Sequence, residues 1–346
     1  MPKLAVIILA AGQGTRMKSS IPKILHEVGG RPMVSHVFKA ASQAADFTPV
    51  LVISPGDTGV QSLFGEKALY VEQPEQLGTG HATQMAEPLL KDKVDQVLVT
   101  YADMPLIRPE TFQALAELQA NSGAAVVMLS TMGETDSTFG RVIRNSQDRV
   151  IEIVEVAQAR QRPDGEAILA IKELNVGLYC FASEWLWANL SKLPRRQARN
   201  GVEYYLTDLI ELAVTQDAGV EAVILQDKDE SLGAGTRSEL VAVDKAFRRR
   251  TNNFWLANGV TILDPNAIYI DASATIGQDT IIWPNTYIQG QTTIGPSCTL
   301  GPNTIIRNAH IGEGSTIENS VIENYTLDNN TIVKPFSHLT NNTDRQ

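Results

Sequence analysis

Gly12, Gly14, Thr15, Arg16, Lys18 and Lys23 stand close together near the start of the chain, directly after a solid apolar run from Leu4 to Ala11. Glycines let the backbone turn its N–H groups toward an anion, and Arg16 and Lys23 can add charge-assisted hydrogen bonds. The grouping suits phosphate. On its glycines alone it is also what an ordinary first strand and turn of an α/β domain would carry. A further candidate is Asp103, just past the apolar run Gln96 to Tyr101. In open α/β sheets ligands collect beyond the carboxyl ends of the strands, so Asp103 and the glycine loop could face one cleft.

These residues need a sheet to hold them. From Leu4 to about Leu225 short apolar strands alternate with helix-like segments, the pattern of a mostly parallel, Rossmann-like sheet. The pattern predicts strands over 50–54, 68–71, 96–101 and 124–130. It predicts helices over 32–45 (proline in the first turn), 79–90 (entered from Gly78) and 109–120. Residues 141–144 and 150–154 read as a hairpin. Residues 237–257 contain no glycine or proline and place Leu240, Val243, Phe247 and Phe254 at roughly helical spacing, as a linking helix would.

Beyond that helix the pattern changes. Ile270, Ile276, Ile282, Ile288, Ile294, Leu300 and Ile306 recur every six residues, and the series continues less regularly through Ile311, Ile317, Ile322, Leu327 and Ile332. A six-residue period is neither helical nor simply alternating. It fits a parallel β-helix of hexapeptides with one aliphatic side chain per face stacked inward. The domains expected are 1–232, a linking helix over 233–258, and a short β-helix over 259–346.

Composition narrows the function. With 346 residues, 43% hydrophobic and 20% charged, the chain suits two globular domains. Its net charge of −10 argues against a nucleic-acid partner. The cations Arg195, Arg196 and Arg199 read as a solvated loop, and Arg248, Arg249 and Arg250 as part of a helix. Cys180 and Cys298 lack metal-ligand spacing and read as buried thiols in a reducing compartment. The N-terminal apolar run is too short for a membrane span and lacks a signal-peptide pattern, so a cytoplasmic protein with no membrane partner is expected.

Seven segments in order carry a resemblance: Leu9 to Met17 with Pro22-Lys23, Gln73 to Ala82, Tyr101 to Leu106, Phe139 to Val142, Ile153 to Glu155, Leu174 to Gly177, and Glu203 to Asp208. Over nearly its whole length the chain resembles bacterial N-acetylglucosamine-1-phosphate uridylyltransferases of the bifunctional GlmU type. The resemblance implies a GT-A-like nucleotidyltransferase domain and a left-handed β-helix that packs as a homotrimer. It implies attack of a sugar 1-phosphate on the α-phosphorus of UTP with loss of pyrophosphate, a step made mostly of positioning and charge neutralisation. On the matching positions, Arg16 and Lys23 would steady the phosphates. Asp103 would ligate Mg2+, a hard cation that prefers oxygen. Ala10, Ala11, Gly12, Gly14 and Thr15 would line the nucleotide, and Gln73, Gly78 and Thr79 would meet uracil and ribose. Gly140, Glu155, Asn175 and Thr207 would meet the sugar.

Three departures qualify it. Gly235 stands where the family places an asparagine metal ligand. The 155–159 and 175–177 segments differ where sugar identity would be read. Pro335 to His338 resembles the start of the family's acetyltransferase site, yet the arginine expected next aligns with Thr340 and later motifs have no counterpart. The resemblance thus implies uridylyl transfer without acetyl transfer and without an acetyl-CoA site. The alternatives are a nucleotidyltransferase for another sugar or for dTTP, and a nucleotide-sugar-binding or scaffold protein with decayed catalysis.

Overall fold

The structure, a computed structural model, describes residues 2–135, 138–198 and 201–341. The chain divides into two compact units, Met1–His26 with Met33–Arg237, and Glu27–Pro32 with Ser238–Gln346. The second unit therefore borrows a short piece of chain from inside the first, which differs from contiguous domains over 1–232 and 259–346.

In the first unit the strands that matter are β1 (Leu4–Leu9), β2 (Val50–Ile53), β3 (Leu69–Glu72), β4 (Gln96–Tyr101), β5 (Val126–Met132), β6 (Arg141–Arg144), β7 (Val150–Val154), β8 (Glu173–Ala182) and β9 (Val220–Ile224). Their spatial order is β9-β5-β8-β4-β1-β2-β3, with the β6/β7 hairpin joined to β8. All neighbours on the main path are parallel except β8, which runs antiparallel between β4 and β5. Alternate residues of β1 enter opposite layers: Leu4, Val6 and Ile8 join one core and Ala5 and Ile7 the other. A strand covered on both faces must be apolar at every position, which is why β1 reads as an unbroken run. The sheet order reverses at β1, whose sequential partner β2 lies on one side while β4 lies on the other. That is the switch point where α/β sheets open a crevice.

Several expected elements form with small shifts, among them helices Met33–Ala44 and Pro109–Ser122 and the hairpin of β6 and β7. Two differ. The segment 79–90 forms two short helices, Gly78–Gln84 and Glu87–Leu90. Pro88 lacks an N–H for a carbonyl four residues back, at Gln84, so the first helix ends there. Arg195 is exposed and outside any regular element, as a solvated loop would have it, but Arg196 is not: it starts a small hairpin, Arg196–Ala198 with Gly201–Glu203, and grips Asp208 through Nε and Nη2, both at 3.0 Å. Arg195 Nε donates to the Tyr204 hydroxyl at 2.9 Å. Arg199 lies outside the described residues.

In the second unit the helix Arg237–Ala257 precedes parallel strands that stack in three sheets. The register sets the rung length. Thr286 pairs with Thr304, a step of 304 − 286 = 18 residues, or three hexapeptides. Later rungs shorten: 310 − 293 = 17 and 321 − 305 = 16. This is why the six-residue repeat loosens after Ile306. Ile282, Ile288, Leu300 and Ile306 are fully buried in the stack, each worth about 1.5–3 kcal/mol on burial. Corners are turned by residues in the left-handed region, asparagine often among them, and Asn285, Asn303 and Asn319 form a side-chain ladder at 3.1 Å per step. Cys180 and Cys298 are buried free thiols in the two cores. Arg248 stacks 4.3 Å over the ring of Tyr269 and pairs with Asp244 within the helix.

The borrowed piece is a tight hairpin, Glu27–Val28 with Arg31–Pro32. Gly29 N donates to Asp244 Oδ1, and Ala272 N donates to Gly29 O. Gly30 has φ +72°, and a Cβ there would lie 2.2 Å from Asp271 Oδ2. Only glycine fits. Among the described residues, no helix is long and apolar enough to cross a membrane.

Candidate active site

A cavity of about 990 Å3 opens in the first unit beyond the carboxyl ends of β1 and β4. Its floor is made by strand ends whose hydrogen bonding continues into the loops: Ala10 N donates to Val52 O, and Ala102 N to Leu9 O. Ala10, Ala11, Gly12, Thr15, Lys23, Gln73, Gly78, Thr79 and Asp103 all line it. In sequence these run from Ala10 to Asp103, and one crevice collects them.

The glycine loop is shaped by close approach. Gly14 has φ +61°, and a Cβ there would sit 2.5 Å from Lys23 Cβ. The missing side chain lets the Lys23 stem pass and deliver its ammonium to Asp103 Oδ2 at 2.5 Å. Arg16 lies exposed on the single helical turn Thr15–Met17, which is anchored by buried Met17. Neither Gly14 nor Arg16 lines the cavity itself.

The opposite wall is the 73–80 loop. Gln73 is buried, and its Nε2 donates to Gly78 O at 3.1 Å beside His81 Nδ1 at 3.2 Å. Gln76 Nε2 reaches across to Ala11 O at 2.7 Å, tying the two loops together. Tyr204 N donates to Leu77 O and Gly80 N to Tyr204 O, each at 2.8 Å. Gly78, at φ +93°, leaves no room for a Cβ against the Tyr204 backbone. The Thr79 hydroxyl accepts from Leu206 N at 3.0 Å.

Beside the cavity lies a second group built on an irregularity in β8. The pairing with β5 shifts register between Asn175 and Tyr179, and such bulges re-aim side chains. Gly177 there has φ +88° and approaches the Tyr101 ring so closely that a Cβ would stand 2.8 Å from it. Asn175 is committed inward: Oδ1 accepts from Gly177 N at 3.1 Å, and Nδ2 meets the Tyr179 hydroxyl at 2.8 Å. Asn175 N donates to Gly140 O, and the Gly140 position lies against Glu155, a Cβ there standing 3.1 Å from Oε1. Burial, then the charge of Asp208, raises the Glu155 carboxyl above its ordinary range. Burial, then Asp103 and Glu155, raises the Tyr101 phenol, so it stays a neutral hydrogen-bonding group at neutral pH. Thr207 stands just before the helix Asp208–Thr215 and, like Gly140, Glu155 and Asn175, does not line the main cavity.

Sequence reasoning did not single out Tyr101, Gln76, Glu203 or Tyr205, all of which line the cavity. Each lies inside a segment that had been singled out for a neighbour. The available signal was position: Tyr101 ends a buried strand two residues before Asp103.

The MobA-like NTP transferase domain family matches residues 6–206, and the six-repeat bacterial transferase hexapeptide family matches residues 273–308. The chain is 38% identical over 339 residues to the bifunctional protein GlmU of Heliobacterium modesticaldum, covering 98% of this chain and 72% of that one. It is equally close, 38% over 339 residues with the same coverage, to the bifunctional protein GlmU of Geobacillus thermodenitrificans. Among solved structures, a UDP-glucose pyrophosphorylase complexed with UDP-glucose superposes with TM-score 0.57 at 17% identity, covering 72% of this chain and all of that one, a likeness of fold. With both domains matched in order and the likeness running through nearly all its length, the chain belongs to the GlmU family.

Proposed function

We propose that the first unit transfers UMP from UTP to N-acetylglucosamine 1-phosphate, releasing pyrophosphate. The observation that carries this reading is the convergence on one cavity of the glycine loop, Lys23, Asp103 and the 73–79 loop. A phosphate oxygen of the sugar attacks the α-phosphorus in line, and the bond to the β-phosphate oxygen breaks. Lys23 holds phosphate oxygens beside the reacting phosphorus, and Arg16 on its exposed turn meets the charge that grows on pyrophosphate. Gln73 has its amide nitrogen engaged by Gly78 O, leaving its carbonyl oxygen to accept from the uracil ring N–H. Glu155 and the carbonyl of Gly140 take the sugar side, and Asn175 orients that wall through Gly177 and Tyr179.

Asp103 fits a hard divalent cation such as Mg2+, which would neutralise the triphosphate. Among the described residues no group of three or more His, Cys, Asp or Glu could hold a metal. Its other ligands therefore come from phosphates and water, as Mg2+ commonly accepts. The segment aligned with the family's asparagine ligand does lie on Asp103, since Ala234 N donates to Asp103 O at 3.0 Å, but residue 235 is glycine. We further propose that the hexapeptide unit assembles as a homotrimer, for which light scattering is the check; a monomer at micromolar concentration would sink it.

The test of function is pyrophosphate release from UTP with Mg2+, comparing N-acetylglucosamine 1-phosphate with glucose 1-phosphate. Preference for the acetylated sugar is expected. Preference for glucose 1-phosphate would move the function sideways within the fold, and no release with either would favour a binding role.

A further inference from the structure

The side chain proposed to ligate the metal already has a cation on it. Lys23 Nζ lies 2.5 Å from Asp103 Oδ2, with the two side chains 17% and 19% exposed. The pair sits at the wall of the cavity, largely out of water, where charges act on each other more strongly than at an open surface. The lysine is also sterically guided there, because its stem runs through the space left by the missing Cβ of Gly14.

We infer that Lys23 gates Asp103, so that a divalent cation and the nucleoside triphosphate bind cooperatively and the cation enters with the triphosphate. The inference rests on the reading of Asp103 as the metal ligand. A carboxylate that carries an ammonium ion at contact distance is a poor ligand for a second cation. A dication on its other oxygen would face the ammonium at close range and be repelled. A triphosphate offers Lys23 a replacement partner of higher charge. Once the lysine turns to phosphate, the carboxylate is released to the metal, and the phosphates supply the oxygens that Asp103 alone cannot. Cooperativity of this kind is reciprocal: the metal strengthens nucleotide binding by the same factor as nucleotide strengthens metal binding.

The test uses the full chain with Mn2+ as the probe, free Mn2+ being read by electron paramagnetic resonance without nucleotide. Lys23→Met and Lys23→Gln are expected to bind Mn2+ on the order of tenfold more tightly than the native chain, within the range of ordinary coupling factors. Asp103→Asn is expected to abolish that gain. In the native chain, a non-hydrolysable α,β-methylene UTP is expected to raise Mn2+ affinity beyond that of the analogue alone, and the Lys23 variants should lose most of this enhancement. Far-ultraviolet circular dichroism establishes that each variant is folded. Unchanged or weaker Mn2+ binding in both Lys23 variants, with Asp103→Asn still defective in the presence of the analogue, would overturn the gate and leave Asp103 as the ligand. Mn2+ binding indifferent to Asp103→Asn with the analogue present would overturn the reading of Asp103 and the gate with it.

Discussion

Two glycines of the same loop make different demands, and the difference is testable at single residues. A Cβ at Gly12 would meet nothing within 4 Å, whereas one at Gly14 would meet Lys23 Cβ at 2.5 Å in a left-handed backbone. Gly14→Ala is therefore expected to cost about 1–3 kcal/mol of stability from strain and to weaken nucleotide binding by displacing Lys23. Gly12→Ala should fold normally. Urea titration and a UTP-binding isotherm for both variants would settle it, and equal behaviour of the two would refute the argument. Glu155 carries a different kind of cost. Its folded pKa is raised above the ordinary 4.5, mainly by burial. Between those two values the folded chain holds a proton that the unfolded chain has lost, so stability falls as pH rises through that window. Glu155→Gln is expected to raise the melting temperature at pH 7 and to lose its advantage below pH 4.5, while pyrophosphate release declines. An unchanged melting temperature at pH 7 would remove Glu155 from the set of strained site residues. These residue types were legible in the sequence; their commitments were not. Nothing in the string said that Asn175 would spend its amide on Gly177 and Tyr179, because the bulge that brings them together is a property of strand pairing.

Elements were legible where a periodic pattern ran unopposed. β4 and the helix Arg237–Ala257 have the expected ends, whereas the segment 79–90 splits at Pro88, where a local backbone rule overrides helical periodicity. What holds the elements to one another came from long-range polar contacts that no local pattern encodes. The helix Pro109–Ser122 is the clearest case. Its first turn is capped from far along the chain: Glu230, only 4% exposed, accepts from Arg108 N at 3.0 Å and from the Thr111 hydroxyl at 2.6 Å. Arg108 also pairs with Asp227 through Nη2 at 2.6 Å. That helix packs behind the central sheet, and Gly233 and Ala234, which follow the cap closely, lie against Asp103. Glu230→Ala removes the acceptor and leaves a buried hydroxyl and an orphaned helical N–H. A loss of about 2 kcal/mol is expected, with a higher apparent KM for UTP as the 233–234 segment loosens on Asp103. Chemical denaturation and steady-state kinetics of the variant measure both. A stability loss under about 0.5 kcal/mol, the scale of ordinary surface substitutions, would mean that Arg108–Asp227 alone secures the helix.

At the scale of the whole molecule the chain builds separate cores. The residues of the two layers around the sheet and those of the hexapeptide stack are disjoint sets, and the onset of the six-residue period marks the division in the sequence. The hairpin Glu27–Pro32 could not be foreseen in the same way. Its few residues carry no periodic signal, and its place is set by Gly29 and Gly30 fitting against Asp244 and Asp271, far along the sequence. Separate cores imply separate unfolding, since two-state behaviour is expected of single domains and not of chains with independent cores. Ile306 is fully buried in the stack. Ile306→Ala removes its side chain from a packed row and should destabilise the hexapeptide unit by about 2–5 kcal/mol. Calorimetry should then resolve two transitions, one lowered by the substitution and one unmoved, with pyrophosphate release intact below the lower one. If the stack assembles as a trimer, the sensitive transition should also rise with protein concentration, because subunit binding stabilises only the folded unit. A single transition that moves as a whole would show instead that the hairpin, which begins at Glu27 soon after Lys23, makes the nucleotide site and the stack fold as one.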